Sequence, residues 1–319
     1  MIRPSRLAAA SVVLGCALAL AGCTDADEPR AASGTEEARV VTDQYGDVEI
    51  TGVPERIVAA GNYEADIVLA LGGTLAAQGE WATGGFEDGI PEWRVPLLDG
   101  AEVPTISYSP DGYDIEETLA LDPDLVLNSW LLEDEWATLN ERVPTIAPAY
   151  DASVREVIET IGDAIGRPDE AAALIEEYDG VLAGARAEFP ELDGAEVAVA
   201  YAQNGSTLQS YTEEGTLSFL TEFGVVPSPS AAALEPWATL GSEQFAQLDG
   251  DLLIVSYASE DARTELEANP LFQAIPAVAD GRYLGLTDGL RFDLLRSGSP
   301  AQAGYAVEHA IPQLAALLR

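Results

Sequence analysis

Lysine is absent from this sequence: all 15 of its basic residues are arginine, and His309 is its only histidine. Without a lysine amine there is no Schiff-base or pyridoxal-phosphate chemistry. There is also no Walker-type phosphate loop, which closes on Gly-Lys-Ser or Gly-Lys-Thr. One histidine is too few for a zinc site of the His-Glu-x-x-His kind. Cysteine is nearly as scarce, with Cys16 and Cys23 alone, both near the start. Positive charge is outnumbered, since 55 acidic residues leave a formal net charge of −40. Such a chain repels polyanions and lacks the basic face that nucleic acid requires.

What is present begins with a leader. Arg3 and Arg6 precede an apolar run over 7–20, the n-region and h-region of a secretory signal. The run is too short for a membrane span of about 20 apolar residues. Leu20-Ala21-Gly22-Cys23 resembles a bacterial lipobox, with small residues before a cysteine and a polar tract directly after it. That likeness implies a signal peptide over 1–22, cleavage before Cys23 and lipidation of its thiol. The alternative is an ordinary secretory signal with an incidental cysteine. With Cys16 removed and Cys23 lipidated, no thiol is left for a disulfide or a thiolate metal site. Residues 23–40 are small and acidic with no apolar period, and read as a lipidated flexible tether. Its reach is about 20–25 Å by the square-root rule.

From residue 41 short apolar strands alternate with helical stripes. Residues 56–60 and 124–128 carry unbroken apolar runs, as buried strands of parallel sheets do. Val154, Val157, Ile158, Ile161 and Ile165 form one helical stripe, and Leu174, Ile175, Tyr178, Val181, Leu182 and Ala185 form the next. After Gly194 the alternation restarts, with strands at 196–201, 251–256 and 282–286 and one closing helix over 301–318. The pattern predicts an α/β protein with an N-terminal lobe over 41–167, a linking helix over 168–190 and a C-terminal lobe over 191–319.

The two units share a motif. Glu116 precedes Leu121-Asp-Pro-Asp124-Leu-Val-Leu, and Glu243 precedes Leu248-Asp-Gly-Asp251-Leu-Leu-Ile-Val. Both glutamates sit eight residues before the second aspartate of the motif. With Val143-Pro-Thr-Ile-Ala-Pro148, the Gly-Arg-Pro-Asp-Glu-Ala171 segment, Leu271-Phe-Gln-Ala-Ile-Pro-Ala277 and Asp280-Gly-Arg-Tyr, in this order and spacing, the sequence resembles the substrate-binding proteins of ABC importers for ferric siderophores, haem and cobalamin. The resemblance implies two Rossmann-like lobes joined by a single long α-helix, and an extracytoplasmic binding protein rather than an enzyme. It also implies a monomer that delivers its ligand to an ABC permease dimer, with Glu116 and Glu243 as the docking pair. Read from the residues alone, both glutamates are equally solvated first-turn acids, favoured there by the helix dipole.

The ligand is expected beyond the C-terminal ends of the parallel strands. Tyr63, Trp81, Trp130 and Tyr257 follow strands, Tyr211 and Trp237 fall in loops, and Arg94 and Arg291 each neighbour an aromatic residue. Aromatics supply rigid contact area, and arginine grips carboxylate and catecholate oxygens; each residue taken singly is also an ordinary core residue. A siderophore saturates its own iron, so no cofactor or protein metal ligand is expected, and His309 reads as structural. Haem or cobalamin is the alternative ligand, with Tyr63 or Tyr257 as an axial donor to haem. Hydroxamates are favoured over trianionic catecholates, which oppose the field of so acidic a chain. A cleft hydrolase is a weaker reading. Glu116 and Glu243 belong to different lobes, and no Gly-x-Ser-x-Gly elbow is present. A surface adaptor without a small ligand is the last alternative, and the post-strand aromatics argue against it.

Overall fold

The computed structural model describes residues 38–61, 63–80, 89–106, 114–149, 151–211, 218–287 and 298–319. The chain enters through an antiparallel hairpin of β1 (Ala38–Thr42) and β2 (Asp47–Thr51). Val48 and Ile50 alternate inward along β2 with Asp47, Glu49 and Thr51 outward, the period of a half-buried strand. Arg39 fastens the hairpin to the body. Its Nε donates to the carbonyl of Asp163 at 2.7 Å, and its two terminal nitrogens donate to the carbonyls of Gly52 and Ala164. This anchoring corrects the tether boundary, because Ala38 to Val40 are strand rather than linker.

The first sheet contains β3 (Ile57–Ala59), β4 (Leu75–Gly79), β5 (Thr105–Ile106), β6 (Leu125–Leu127) and β7 (Thr145–Ile146). Its order is β5-β4-β3-β6-β7, with every pairing parallel. The central strands Ile-Val-Ala and Leu-Val-Leu are buried at every position, because both faces of the sheet are covered. The second sheet contains β8 (Glu196–Asn204), β9 (Thr207–Ser210), β10 (Val226–Pro227), β11 (Thr239–Gly241), β12 (Leu252–Tyr257) and β13 (Tyr283–Leu286). Its order is β11-β9-β8-β12-β13, and β10 lies parallel to the start of β8. β8, β12 and β13 are parallel, and β9 runs antiparallel to both β8 and β11.

The repeated Leu-Asp-x-Asp motif has the same structural task in each lobe. The Asp124 carboxylate accepts from the backbone N–H groups of Glu55 at 2.8 Å and Arg56 at 2.9 Å, just before β3. The Asp251 carboxylate accepts from the N–H of Glu196 at 3.0 Å, the first residue of β8. An arginine completes each turn: Arg56 donates to the carbonyls of Leu121 and Asp122, and Arg282 to those of Gly250 and Asp251. Each lobe therefore pins the start of its inner strands with one carboxylate and one guanidinium.

A single helix, Pro168–Glu188, joins the lobes. Its 21 residues span about 32 Å at the α-helical rise. Pro168 occupies its first turn with Asp169 and Glu170, positions that suit a ring lacking N–H and charges facing the positive dipole end. Ala171 is buried in the first core, with Leu174 and Ile175 packed against it. Tyr178, Leu182 and Ala185 are buried in the second. The predicted architecture of two α/β lobes on one helical backbone is the observed one. The predicted closing helix is instead two, Pro300–His309 and Ile311–Leu317, meeting at Ala310. Pro312 causes the break, since it has no N–H to return to the preceding turn. Among the described residues no helix is long and apolar enough to cross a membrane.

Candidate functional site

A cavity of about 450 Å³ opens between the lobes, within the usual range for small-molecule sites. Tyr63 and Glu64 enter it from the end of β3, and Ser129 and Trp130 from the end of β6. Asp151 to Val154, Glu156 and Val157 line it from the turn before the helix Val154–Ala164 and from that helix's first turn. Tyr178 of the linking helix contributes from the second core. Ser218, Phe219, Glu222 and Gly298 close it from the C-terminal lobe. The site thus lies where open α/β sheets bind ligands, outside the carboxyl ends of the strands.

Local chemistry holds these walls. Ser153 and Glu156 form a capping box. The Ser153 hydroxyl accepts from the Glu156 N–H at 3.3 Å, and the Glu156 carboxylate accepts from the Ser153 N–H at 2.8 Å. The carboxylate also accepts from the Ser153 hydroxyl at 2.8 Å, and the bonds it accepts from the Ser153 N–H and hydroxyl hold the Glu156 carboxyl below its ordinary range. Glu222 is shared by two arginines, Arg155 at 2.8 Å and Arg186 at 2.6 Å. Arg155 also pairs with Asp179, and its guanidinium lies 5.2 Å from the Tyr178 ring centre. Bonding to Glu222, more than its partial burial, sets the direction for Arg155 and keeps it firmly protonated. Burial pushes the Tyr178 phenol up, so it stays neutral. The lining combines aromatic surface with Glu64, Asp151, Glu156 and Glu222, and the two arginines nearest Glu222 are already paired.

The sequence matches the family described as periplasmic binding protein over residues 57–288. The chain belongs to this family. It therefore works outside the cytoplasm, in a family of binding proteins rather than enzymes. The Fe(3+)-citrate-binding protein YfmC of Bacillus subtilis is 25% identical over 297 residues, covering 86% of this chain and 87% of its own. The ferric enterobactin-binding periplasmic protein FepB of Escherichia coli is 24% identical over 279 residues, covering 80% of this chain and 86% of its own. The crystal structure of a periplasmic solute binding protein from Mycobacterium smegmatis superposes with a TM-score of 0.76 at 26% identity, covering 88% of this chain and 99% of that one.

Of the residues expected in the cleft of this periplasmic binding protein, Tyr63 and Trp130 line the cavity. Trp130 is 42% exposed. Trp81, Arg291 and Cys23 lie outside the described residues. Arg94 is placed differently from the expectation. Its side chain is fully buried, and its Nε donates to Asp66, which is buried as well. A guanidinium committed to an interior carboxylate is not a ligand grip. Tyr257 is also corrected: it is the last residue of β12, fully buried, with its hydroxyl 2.6 Å from that of Tyr283. The apolar run continues one residue further than the pattern suggested, and the ring packs in the second lobe's core.

Tyr211 and Trp237 meet edge to face at 4.5 Å and are not among the residues that line the cavity, although Tyr211 packs against the core that holds Tyr178 and Phe219. Trp237 is 42% exposed with φ +59, a strained backbone for so bulky a residue. Glu116 and Glu243 are both exposed in the first turns of the helices preceding β6 and β12. His309 is exposed at a helix end, its ring 4.2 Å from that of Tyr305. Among the described residues no group of histidine, cysteine and acidic side chains is arranged to hold a metal ion.

Sequence reasoning missed Glu64, Ala149, the 151–154 turn, Glu156, Val157, Tyr178, Phe219 and Glu222. Ser153-Val-Arg-Glu156 is a legible capping signature, but nothing in it says that the capped end faces a cavity.

Proposed function

We propose that this protein captures a ferric siderophore in the cavity between its lobes and delivers it to an ABC permease. The observation that carries the reading is the aromatic, strand-end cavity between lobes in a periplasmic binding protein whose curated relatives are named for ferric citrate and ferric enterobactin. Tyr63 and Trp130 are the contact residues from the N-terminal lobe, and Tyr211 and Trp237 extend the surface on the C-terminal side. Trp81 and Arg291 belong to the same proposed set. A ferric hydroxamate is the favoured ligand. Among the described residues, four acids line the cavity and the two arginines beside Glu222 are occupied, so a neutral or cationic complex enters without the repulsion a trianionic catecholate meets.

The finer parts of the reading follow the sequence. The mature chain is a lipoprotein held to the membrane through Cys23, with its body as a monomer near the surface. Its lobes are bounded near residues 38–167 and 191–319, around the linking segment 168–190. Glu116 and Glu243, one exposed acid per lobe, suit bidentate pairing with arginines of a two-fold permease. The direct test is tryptophan fluorescence titration of the purified protein with ferrioxamine B, ferrichrome, ferric citrate, ferric enterobactin, haem and cobalamin. Saturable quenching by a ferric hydroxamate at micromolar or lower concentration is expected. No response to any ferric chelate overturns the proposal, and a response to haem or cobalamin alone transfers it to that ligand.

A further inference from the structure

We infer that Glu64 is the positioning residue of the ligand cleft, holding Tyr63 and Trp130 in the geometry that receives the ligand. This rests on the proposed binding role of the cavity. Glu64 opens the helix Glu64–Ala70, lines the cavity, and is only 1% exposed. Its two oxygens serve two different strand-end loops. Oε2 accepts from the N–H of Tyr63 at 3.0 Å, after β3, and Oε1 accepts from the N–H of Ser129 at 2.7 Å, after β6. These loops follow adjacent strands at the centre of the first sheet. One carboxylate therefore sets the spacing between the two aromatic residues that these loops bring to the wall, Tyr63 and Trp130.

The surroundings leave the carboxylate little freedom. A Cβ on Gly61 would come within 2.2 Å of Oε2, so the loop after β3 closes over Glu64 only because residue 61 is glycine. On the other loop, Trp130 N–H donates to the Asn128 side chain at 2.9 Å, and Asn128 N–H to the carbonyl of Ile146 at 3.1 Å. Residues 128, 129 and 130 are thus each tied at the backbone. Tyr63 is held from its far side as well: a Cβ on Gly298 would approach its ring to 2.1 Å, so the C-terminal lobe presses directly on it.

The chemistry selects a carboxylate. Both groups it meets are N–H donors, and an ionised glutamate accepts at both oxygens. Glutamine would turn an NH₂ toward one of them, losing that bond and setting donor against donor. Two charge-assisted bonds also offset the cost of burying the charge.

The test uses the full chain labelled with 5-fluorotryptophan and observed by fluorine NMR. The resonance that vanishes in Trp130→Phe reports on Trp130. In Glu64→Ala it is expected to shift and broaden without ligand, and in Glu64→Gln to shift less, while the buried Trp93 resonance holds. With ferrioxamine B as probe, Glu64→Ala is expected to weaken binding about tenfold. Adding it to Trp130→Phe is expected to cost less than that, because a residue acting through another is not additive with it. An unmoved Trp130 resonance in both Glu64 variants, or fully additive losses, overturns the inference. If the unmodified protein binds no chelate, the functional reading falls while the ligand-free resonances still decide the role of Glu64.

Discussion

Substituting Arg94 separates an interior role from a ligand-gripping one. Asp66 accepts the Arg94 Nε, the Trp93 indole N–H at 2.9 Å and the Ser299 hydroxyl at 2.8 Å. Ser299 caps the helix Pro300–His309 of the C-terminal lobe, so this buried carboxylate joins the two lobes as well as pairing with Arg94. Arg94→Met preserves much of the apolar volume and leaves Asp66 charged, interior and without its cation. Breaking a buried pair in this way costs about 3–5 kcal/mol. Two donors remain on Asp66, which places the loss near 3 kcal/mol. At about 2–4 °C per kcal/mol for a body of this size, the midpoint should fall by about 6–12 °C. Pairing it with Asp66→Asn should recover part of the loss, because no unpaired charge then remains. Thermal unfolding followed by circular dichroism gives the midpoint, and chelate titration well below it gives the affinity. An unchanged midpoint together with lost affinity would refute the reasoning and return Arg94 to the ligand.

Four further outcomes are expected. Glu116→Ala and Glu243→Ala should keep chelate affinity and reduce cellular uptake of the iron complex; lost affinity in either would place that carboxylate at the ligand. Burial pushes the phenols of Tyr178, Tyr257 and Tyr283 above the usual tyrosine value. Their contribution is complete below about pH 10 and is lost as pH rises beyond it; urea melts between pH 8 and 11.5 should show this fall, shallower in Tyr257→Phe. Ser153→Ala removes an N-cap and should cost about 1 kcal/mol, with the Glu156 carboxyl returning toward its ordinary range in an NMR titration. Gly79→Ala should destabilise strongly, since its Cβ would lie 2.3 Å from the backbone oxygen of Ala60; an unchanged melting midpoint there would contradict the packing of β3 against β4.

The inner strands and the linking helix were legible because their signals are local and redundant. Leu-Val-Leu at β6 and the apolar stripe from Leu174 to Ala185 leave few alternatives once the flanking Gly and Pro residues are counted. The repeated Leu-Asp-x-Asp was legible as a pattern, but its task was not, since Asp124 bonds to residues 68 and 69 positions earlier. The same distance hid Glu64, whose second partner, Ser129, is 65 positions away. In sequence it is one more acid in a first turn. Arg94 beside Trp93 looked like a gripping pair because nothing nearby announces Asp66 as its partner. The hairpin β1–β2 carried a readable alternation in Val48 and Ile50, but it adjoins an acidic tract that masked it.

The linking helix also divides the cores by sequence. Both cores of the first lobe draw on residues no later than Ile175. The second lobe's core takes in Tyr178, Leu182 and Ala185 and reaches on to Ile311, Leu314 and Ala315. The change of partner falls between Ile175 and Tyr178, so about one turn of the helix passes its apolar face from one lobe to the other.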